Sequence, residues 1–158
     1  MRWFPKVFSS GSGNDLAAAI QAADHYLDSY DKIKHIVHVP EGTRIESLSS
    51  KIPGMVEEHY AYLQDLESIL EYLERREKRA RSESLKRYME HYNRQLNHSV
   101  AKDYCEMDQD VQDIIASIQY VASARNLYIG LHKSIEALHY QISNITKLRA
   151  QGIEDATL

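Results

Sequence analysis

The sequence predicts an all-α protein, an elongated antiparallel helical hairpin or coiled coil that carries an additional N-terminal helix and assembles into oligomers. Residues that break helices are scarce, since the 158-residue chain contains 6 glycines and 3 prolines. Neither type occurs between Gly54 and Gly130. Apolar residues recur at alternating spacings of three and four over two long stretches, which is the period of a heptad seam. These observations favour long packed helices over a sheet with many turns.

The N-terminal segment, residues 1–52, is expected to contain one helix and a connector. Its aromatic start, residues 1–8, is interpreted as a strap packed on the protein's own core, with docking on a partner as the alternative. Asn14 can cap a helix that should end near Ile36. The apolar face of this helix is predicted to consist of Leu16, Ile20, Ala23, Leu27, Tyr30 and Ile33. Residues 37–52 indicate a connector, with enough β-branched residues for a short strand.

The remainder, residues 53–158, is predicted to form the long hairpin as one structural unit. The first long helix should begin at Pro53, because proline suits the first helical position, and should run to about Asn97. Its apolar seam is predicted to begin with Leu63, Leu66, Leu70 and Leu73. The polar residues Glu77 and Ser84 interrupt this seam. Apolar residues then resume on a rotated helix face, at Leu85, Tyr88, Met89, Tyr92 and Leu96. The coiled-coil pattern is therefore interrupted in this part of the chain.

A corner at residues 98–107, with one short helical turn, should lead to the second long helix, from about Asp108 to about Ala150. Its seam is predicted at Val111, Ile114, Ile118, Val121, Arg125, Tyr128, Leu131, Ile135, Leu138, Ile142 and Ile145. Gly152 suits the end of this helix. Arg125 is polar within the seam, so it either pairs with an acid of another helix or fixes register and subunit number.

The most informative stretch is residues 74–94, which we call the basic segment. It holds eight of the chain's 19 Lys and Arg against four acids, whereas the remainder carries 11 basic and 19 acidic residues. A local excess of this kind in an acidic protein is typical of a site that binds a polyanion. Candidate phosphate contacts are Arg75, Arg79, Arg81, Lys86, Arg87 and Arg94, and Tyr88 and Tyr92 are candidates for stacking on bases.

A solvated helix is the alternative interpretation of the basic segment. Seven oppositely charged pairs have i,i+4 spacing: Glu71–Arg75, Glu74–Lys78, Glu77–Arg81, Arg79–Glu83, Glu83–Arg87, Lys86–Glu90 and Glu90–Arg94. Each such pair stabilises a helix by only about 0.2–0.5 kcal/mol, but a ladder of them can keep an exposed helix soluble. The two tyrosines also fall among apolar seam residues, which favours a core role for them over stacking.

Catalytic and metal chemistry have little support in the sequence. His132, Glu136 and His139 share one helix face, and Glu136-x-x-His139 has the spacing of di-iron bundles. Such a site needs the motif on two helices, and the chain contains no second copy. We therefore expect a protein that is not an enzyme and uses neither a metal nor another cofactor.

The cysteine count and the apolar runs predict the cellular compartment. Cys105 is the only cysteine, which excludes an internal disulfide and fits a reducing environment. The N-terminus, MRWFP, lacks the apolar run of a signal peptide. No stretch approaches the roughly 18 apolar residues of a membrane span. We expect a cytoplasmic protein that does not cross a membrane.

The C-terminal part of the chain resembles a known family. The motifs Asp108-Gln109-Asp110-Val111 and Gln119-Tyr120, and the closing pattern of Ile142, Ile145, Leu148-Arg149-Ala150 and Gly152, resemble the C-terminal half of UvsY-type recombination mediators of tailed phages. Upstream, Leu85-Lys86-Arg87-Tyr88 and Tyr92 are similar to that family's Leu-Lys-x-Arg segment and tyrosine pair. Residues 1–52 and the acidic lead-in, residues 57–74, have no counterpart in the pattern.

The resemblance implies a protein that binds single-stranded DNA and helps to load a RecA-like recombinase onto strands covered by single-strand-binding protein. It implies an all-helical, ring-like homo-oligomer, in the host cytoplasm if the chain is phage-encoded. Lys86 and Arg87 would carry the family's DNA contacts, and Arg79 and Arg81 are a looser match to them. The C-terminal helix would mediate assembly, for which the candidates are Ile135, Leu138, Ile142, Ile145 and Leu148.

Two other classes of function remain open at this point. One is a non-enzymatic coiled-coil adaptor or inhibitor that binds another protein through its acidic faces and through Trp3, Phe4 and Phe8. The other is a metal-dependent helical enzyme, which would rest on the histidines and the glutamate of residues 132–139 alone.

Overall fold

The computed structural model describes residues 2–11, 13–39, 43–91 and 97–153, and within these ranges the protein is helical and contains no β-strand. The elements are α1 (Phe4–Ser9), α2 (Asp15–Ile33) followed by a 3₁₀ turn (Lys34–Val37), α3 (Ile45–His91), α4 (His98–Glu106) and α5 (Gln109–Ala150). The all-α prediction is confirmed, whereas the coiled-coil arrangement and the oligomeric state stay predictions. None of the described helices combines the length and hydrophobicity that a membrane crossing requires.

Contacts along the chain group it into two compact units. The first unit consists of Met1–Asp24 and Asp65–Ser123, and the second of His25–Gln64 and Ala124–Leu158. The division expected between residues 1–52 and 53–158 stays a prediction, although residue 52 lies within α3 and marks no boundary between elements.

The core of the first unit uses the predicted seams of the two long helices. Its buried apolar side chains include Leu66, Ile69, Leu70 and Leu73 of α3 and Val111, Ile114 and Val121 of α5. Full burial of an aliphatic side chain of this size contributes about 1.5–3 kcal/mol. Where the seam of α3 was expected to fail, Ser84 is buried and its hydroxyl donates to the Asp108 carboxylate at 2.5 Å. The seam therefore continues through a polar contact.

The second unit continues both seams around a cluster of tyrosines. The Tyr62 ring lies 5.8 Å from the Tyr128 ring, and the Tyr60 ring lies 6.0 Å from His132. These pairs run in opposite directions along the sequence, so α3 and α5 are antiparallel within this unit. The buried Tyr128 hydroxyl donates to the Tyr26 carbonyl oxygen at 2.9 Å, which satisfies a polar group that would otherwise be costly to bury.

The N-terminal strap is packed on the protein's own core, as the preferred interpretation expected. One carboxylate oxygen of Asp65 accepts from the backbone N–H groups of Trp3 and Phe4, at 2.7 and 3.2 Å. Val7 of α1 is fully buried. Since the first backbone N–H groups of a helix have no partner within it, Asp65 holds the start of α1 against α3.

Two expectations for residues 37–53 are wrong. The first long helix begins at Ile45 rather than at Pro53, which lies inside α3, and the structure contains no strand in the described part of residues 37–52. Ile45 and Ile52 are both buried and lie one heptad apart, so their apolar spacing continues the helix through the proline. Tertiary burial here outweighs the local propensity of the residue.

The predicted face of α2 is wrong at Ile20 and omits most of the fully buried positions, although Ala23 is buried and Leu16, Leu27, Tyr30 and Ile33 are half-buried. The buried side chains are Asp15, Ala19, Ala22, Ala23 and Tyr26, whereas Ile20 is exposed. Alanines let a helix approach its neighbour closely, so the small side chains face the core and the longer aliphatic ones lie beside it.

Two further differences concern α4 and α5. The corner is a helix of nine residues, with Ala101 and Cys105 buried, rather than a single turn. The end of α5 agrees with the prediction, because Gly152 has a φ of +90° and the Ile153 N–H donates to the Leu148 carbonyl at 3.1 Å. This bond closes the helix in the manner that a glycine with positive φ allows.

His59 is a buried polar residue in the second unit. Its side chain is 2% exposed, and neither ring nitrogen has a hydrogen-bond partner. Burial lowers the pKa of His59 below its ordinary value of 6.5; Glu58 opposes this shift and His132 adds to it. The folded protein therefore holds this ring neutral at a pH where the unfolded chain would protonate it.

The free energy of unfolding should consequently fall as the pH is lowered through 6.5, because the unfolded state then binds a proton that the folded state excludes. Above that pH the contribution of His59 should be constant. We expect His59→Leu to reduce this slope, measured by urea unfolding between about pH 7.5 and about pH 5.5. The exposed His139→Leu is the matched control. An unchanged slope in the His59 variant would contradict the expectation.

Candidate nucleic-acid interface

The described part of the basic segment lies on α3 in the first unit. Seven of its eight cations, up to Arg87, are within α3. Arg94 and Tyr92, both predicted DNA contacts, lie outside the described residues. The surroundings of the seven cations separate them into two groups, those that pair with acids of neighbouring elements and those that face solvent.

Three arginines pair with acids that are distant in sequence. Arg76 forms an ion pair with the fully buried carboxylate of Asp15, which also accepts from the Tyr72 hydroxyl at 2.8 Å. Burial lowers the pKa of Arg76, and nearby Asp110 opposes that shift. The arginine is thus a structural partner of α2 rather than a free cation.

Arg81 and Arg87 are compensated in a similar way. The Arg81 guanidinium donates to Glu77 at 2.7 Å and lies 3.7 Å from Glu106 of α4. Arg87 pairs with Asp108, whose pKa is lowered first by the hydrogen bond from Ser84 and further by Arg87. Both arginines were predicted as phosphate contacts, and each has an acid beside it that offsets its attraction for phosphate.

The predicted ladder of i,i+4 pairs is only partly formed. Three pairs lie within 4.0 Å: Glu71–Arg75 at 3.1 Å, Glu77–Arg81 at 2.7 Å and Lys86–Glu90 at 4.0 Å. The pairs Glu74–Lys78, Arg79–Glu83 and Glu83–Arg87 have both members described and are not formed; Glu90–Arg94 includes a residue outside the described ranges. The ladder therefore does not account for all of the positive charge.

Four exposed side chains carry the positive charge that remains. Lys78 and Arg79 have no acidic partner in the described structure, and Arg75 and Lys86 take part in pairs whose side chains are 53–71% exposed. Exposed pairs of this kind contribute about 0–1 kcal/mol and are readily exchanged. We call Arg75, Lys78, Arg79 and Lys86 the cationic row. Lys78 was not among the phosphate contacts predicted from the sequence.

Tyr88 agrees better with the packing interpretation than with a free stacking surface. It is half-buried, and its ring lies 5.7 Å from that of Tyr104 on α4 with an angle of 31° between the planes. The Arg87 guanidinium lies 5.6 Å from the centre of the Tyr88 ring. Phe8 of α1 provides an exposed ring beside Arg75 and Arg79. Phe8 is 64% exposed and makes an edge contact with Tyr72 at 5.9 Å.

The candidate assembly residues are mostly used within a single chain. Ile135, Leu138, Ile142 and Ile145 are 0–7% exposed in the described protomer, and Leu148 is 39% exposed. Only Leu148 of the five presents a large apolar area for a second subunit. Assembly through this end of α5 stays a prediction. Arg125 is half-buried in the seam, its Nε atom lacks a hydrogen-bond partner, and the described residues provide no acid for it.

The histidines and glutamate of α5 do not assemble into a metal site. His132 and Glu136 approach to 3.7 Å, but no group of three or more histidine, cysteine or acidic side chains with suitable geometry occurs among the described residues. The metal-dependent alternative gains no support from this arrangement.

Comparison with known families gives a match that covers most of the chain. The family model described as "Recombination, repair and ssDNA binding protein UvsY" matches residues 21–152. This range contains the basic segment, α3, α4 and α5, but not α1. No curated protein and no solved structure matches significantly.

Proposed function

The chain belongs to the UvsY family of recombination, repair and single-stranded-DNA-binding proteins, and on this premise we propose that it is a recombination mediator. It binds single-stranded DNA through the cationic row and assists the loading of a RecA-like recombinase onto strands covered by single-strand-binding protein. In this role the protein acts by binding and not as an enzyme. It acts in the cytoplasm, which is the host cytoplasm if the chain is phage-encoded.

The observation that carries the proposal is the position of the uncompensated charge. Four cations on α3 face solvent with weak or no acidic partners, while the other described arginines of the segment are held by acids. Each cation that neutralises a phosphate releases a counterion, and this release drives binding without regard to sequence. Such binding suits a protein that must act on any single strand.

A homo-oligomer forms part of the same proposal. Several copies of a weak cationic row on one strand would bind far more tightly than one copy, because each further contact is intramolecular. The exposed apolar side chains of Leu127 and Leu148 on α5 provide surface for such contacts.

The mediator role is tested by the ATPase activity of the cognate recombinase. On DNA already covered by single-strand-binding protein, we expect the chain to shorten the lag before steady ATP hydrolysis and to raise the steady rate. On bare DNA the effect should be small, because no protein has to be displaced. Equal stimulation on both substrates, or none on covered DNA, would contradict a mediator role while leaving DNA binding intact.

A further inference from the structure

A groove of about 650 Å³ lies in the first unit alongside α1 and the basic segment of α3. The rings of Phe4, Phe8 and Tyr72 cluster at its aromatic end. Its lining also includes Arg75 and Arg79 and the acids Glu83, Asp110 and Asp113. The Phe8 ring lies 6.0 Å from Phe4 and leaves most of its surface in solvent. An exposed aromatic ring beside two exposed arginines is the combination with which proteins hold unpaired nucleotides.

We propose that the aromatic end of this groove is a nucleobase subsite for single-stranded DNA. A base stacks on the exposed surface of Phe8, and the phosphates on either side of it contact Arg75 and Arg79. The inference rests on the proposed function and adds to it a base contact, which the cationic row alone does not provide. Phe8 lies before the segment that matches the family, residues 21–152.

The charges along the groove determine where a strand can lie. Along α3, Glu83 lies roughly 16 Å from Tyr72 and roughly 6 Å from Arg79, at about 1.5 Å per residue. Arg76 is already paired with Asp15. Phosphate is attracted by Arg75 and Arg79 and repelled by Glu83. The strand should therefore enter beside Phe8, contact the arginines and leave the groove before Glu83.

A peptide side chain from another protein is a different occupant that such a groove could accept. The nucleotide is favoured because the two exposed cations beside the ring suit phosphate, and because the family binds single-stranded DNA. A hydrophobic peptide would gain nothing from Arg75 and Arg79, which would have to be desolvated at a cost on its arrival.

The test compares two oligonucleotides of equal length and charge, an oligothymidylate and the same backbone with abasic spacers. By fluorescence anisotropy at fixed salt, the wild-type protein should prefer the oligothymidylate by at least about fivefold, since stacking on an aromatic ring accounts for such a difference. Phe8→Leu keeps an apolar side chain against Tyr72 and should bind both oligonucleotides with similar affinity. Phe8→Trp should retain the preference.

The matched control is Tyr140→Leu, which removes a ring that is 69% exposed on α5 and should leave the preference unchanged. Fluorescence of Trp3, the only tryptophan, should be the same in Phe8→Leu and wild type if α1 stays docked. The proposal is overturned if the wild type shows no preference, if Phe8→Leu keeps it, or if Phe8→Leu weakens only binding of the recombinase. Failure of the wild type to bind either oligonucleotide would instead refute the proposed function.

Discussion

Asp15→Ala is expected to lower the free energy of unfolding by about 3 kcal/mol, because it leaves a partly buried cation without its partner. The Asp15 carboxylate is fully buried, pairs with Arg76, and accepts hydrogen bonds from Tyr72 and from the Leu16 backbone N–H. Its removal leaves Arg76 and the Tyr72 hydroxyl without this acceptor at the same time. Urea unfolding followed by helical circular dichroism measures the loss.

Two further variants separate the ion pair from a general effect of mutation. Asp31→Ala breaks an exposed pair with Lys34, of which the acid is 69% exposed, and should cost less than about 1 kcal/mol. The double variant Asp15→Leu/Arg76→Met replaces both charges with apolar groups and should recover most of the loss, because apolar side chains of similar volume often replace such a pair without cost. A loss below about 1 kcal/mol for Asp15→Ala would contradict this account.

This ion pair also explains why part of the candidate site could not be predicted. Spacing along one helix determines which charges are able to meet, and it suggested Glu83 for Arg87 and Glu74 for Lys78. The actual partner of Arg87 is Asp108 and that of Arg76 is Asp15. Asp15 lies in α2 and Asp108 immediately precedes α5, so only the tertiary structure could identify them. The excess of four cations was predictable from composition, and the sequence selected three members of the cationic row, Arg75, Arg79 and Lys86, but not Lys78.

The fold was more predictable where the signal was local and repeated. The seam of α5 was recovered almost completely because a heptad pattern over 42 residues contains many concordant positions. At Pro53 a single residue was given more weight than the spacing of Ile45 and Ile52, and the start of α3 was misplaced. In α2, hydrophobicity predicted that Ile20 would be buried rather than Ala19 and Ala22. The alanines are buried instead, because closely packed helices accommodate small side chains between them, and a hydrophobicity scale does not include this effect.

The acids that pair with the arginines have a consequence for which cations can bind DNA. Asp15, Glu106 and Asp108 offset the charges of Arg76, Arg81 and Arg87, while the cationic row has no such partners from other elements in the described structure. Substitution of Arg76 or Arg87 should therefore act first on stability, and substitution within the cationic row should act on DNA affinity with little effect on stability. The basic segment thus contains a structural half and a binding half.

The affinity for single-stranded DNA is expected to fall in the combined variant Arg75→Ala/Lys78→Ala/Arg79→Ala/Lys86→Ala. At about 50 mM salt it should bind about 10³-fold more weakly than the wild type, whereas near 1 M salt the two proteins should differ little. If each side chain neutralises one phosphate, the slope of log affinity against log salt should become shallower by about 2.8, since single strands contribute about 0.7 per contact. Fluorescence anisotropy with an oligothymidylate across a salt series measures both quantities.

The matched control removes the same charge from exposed lysines elsewhere, in Lys32→Ala/Lys51→Ala/Lys133→Ala/Lys147→Ala. Both variants have the same net charge, so a binding mechanism that depends only on net charge predicts equal losses. A mechanism that depends on the cationic row predicts a slope near the wild-type value for the control and a shallow slope for the other variant. Equal slopes in the two variants would refute the assignment of DNA binding to α3, because charge at a site contributes to the salt dependence only where it meets phosphate.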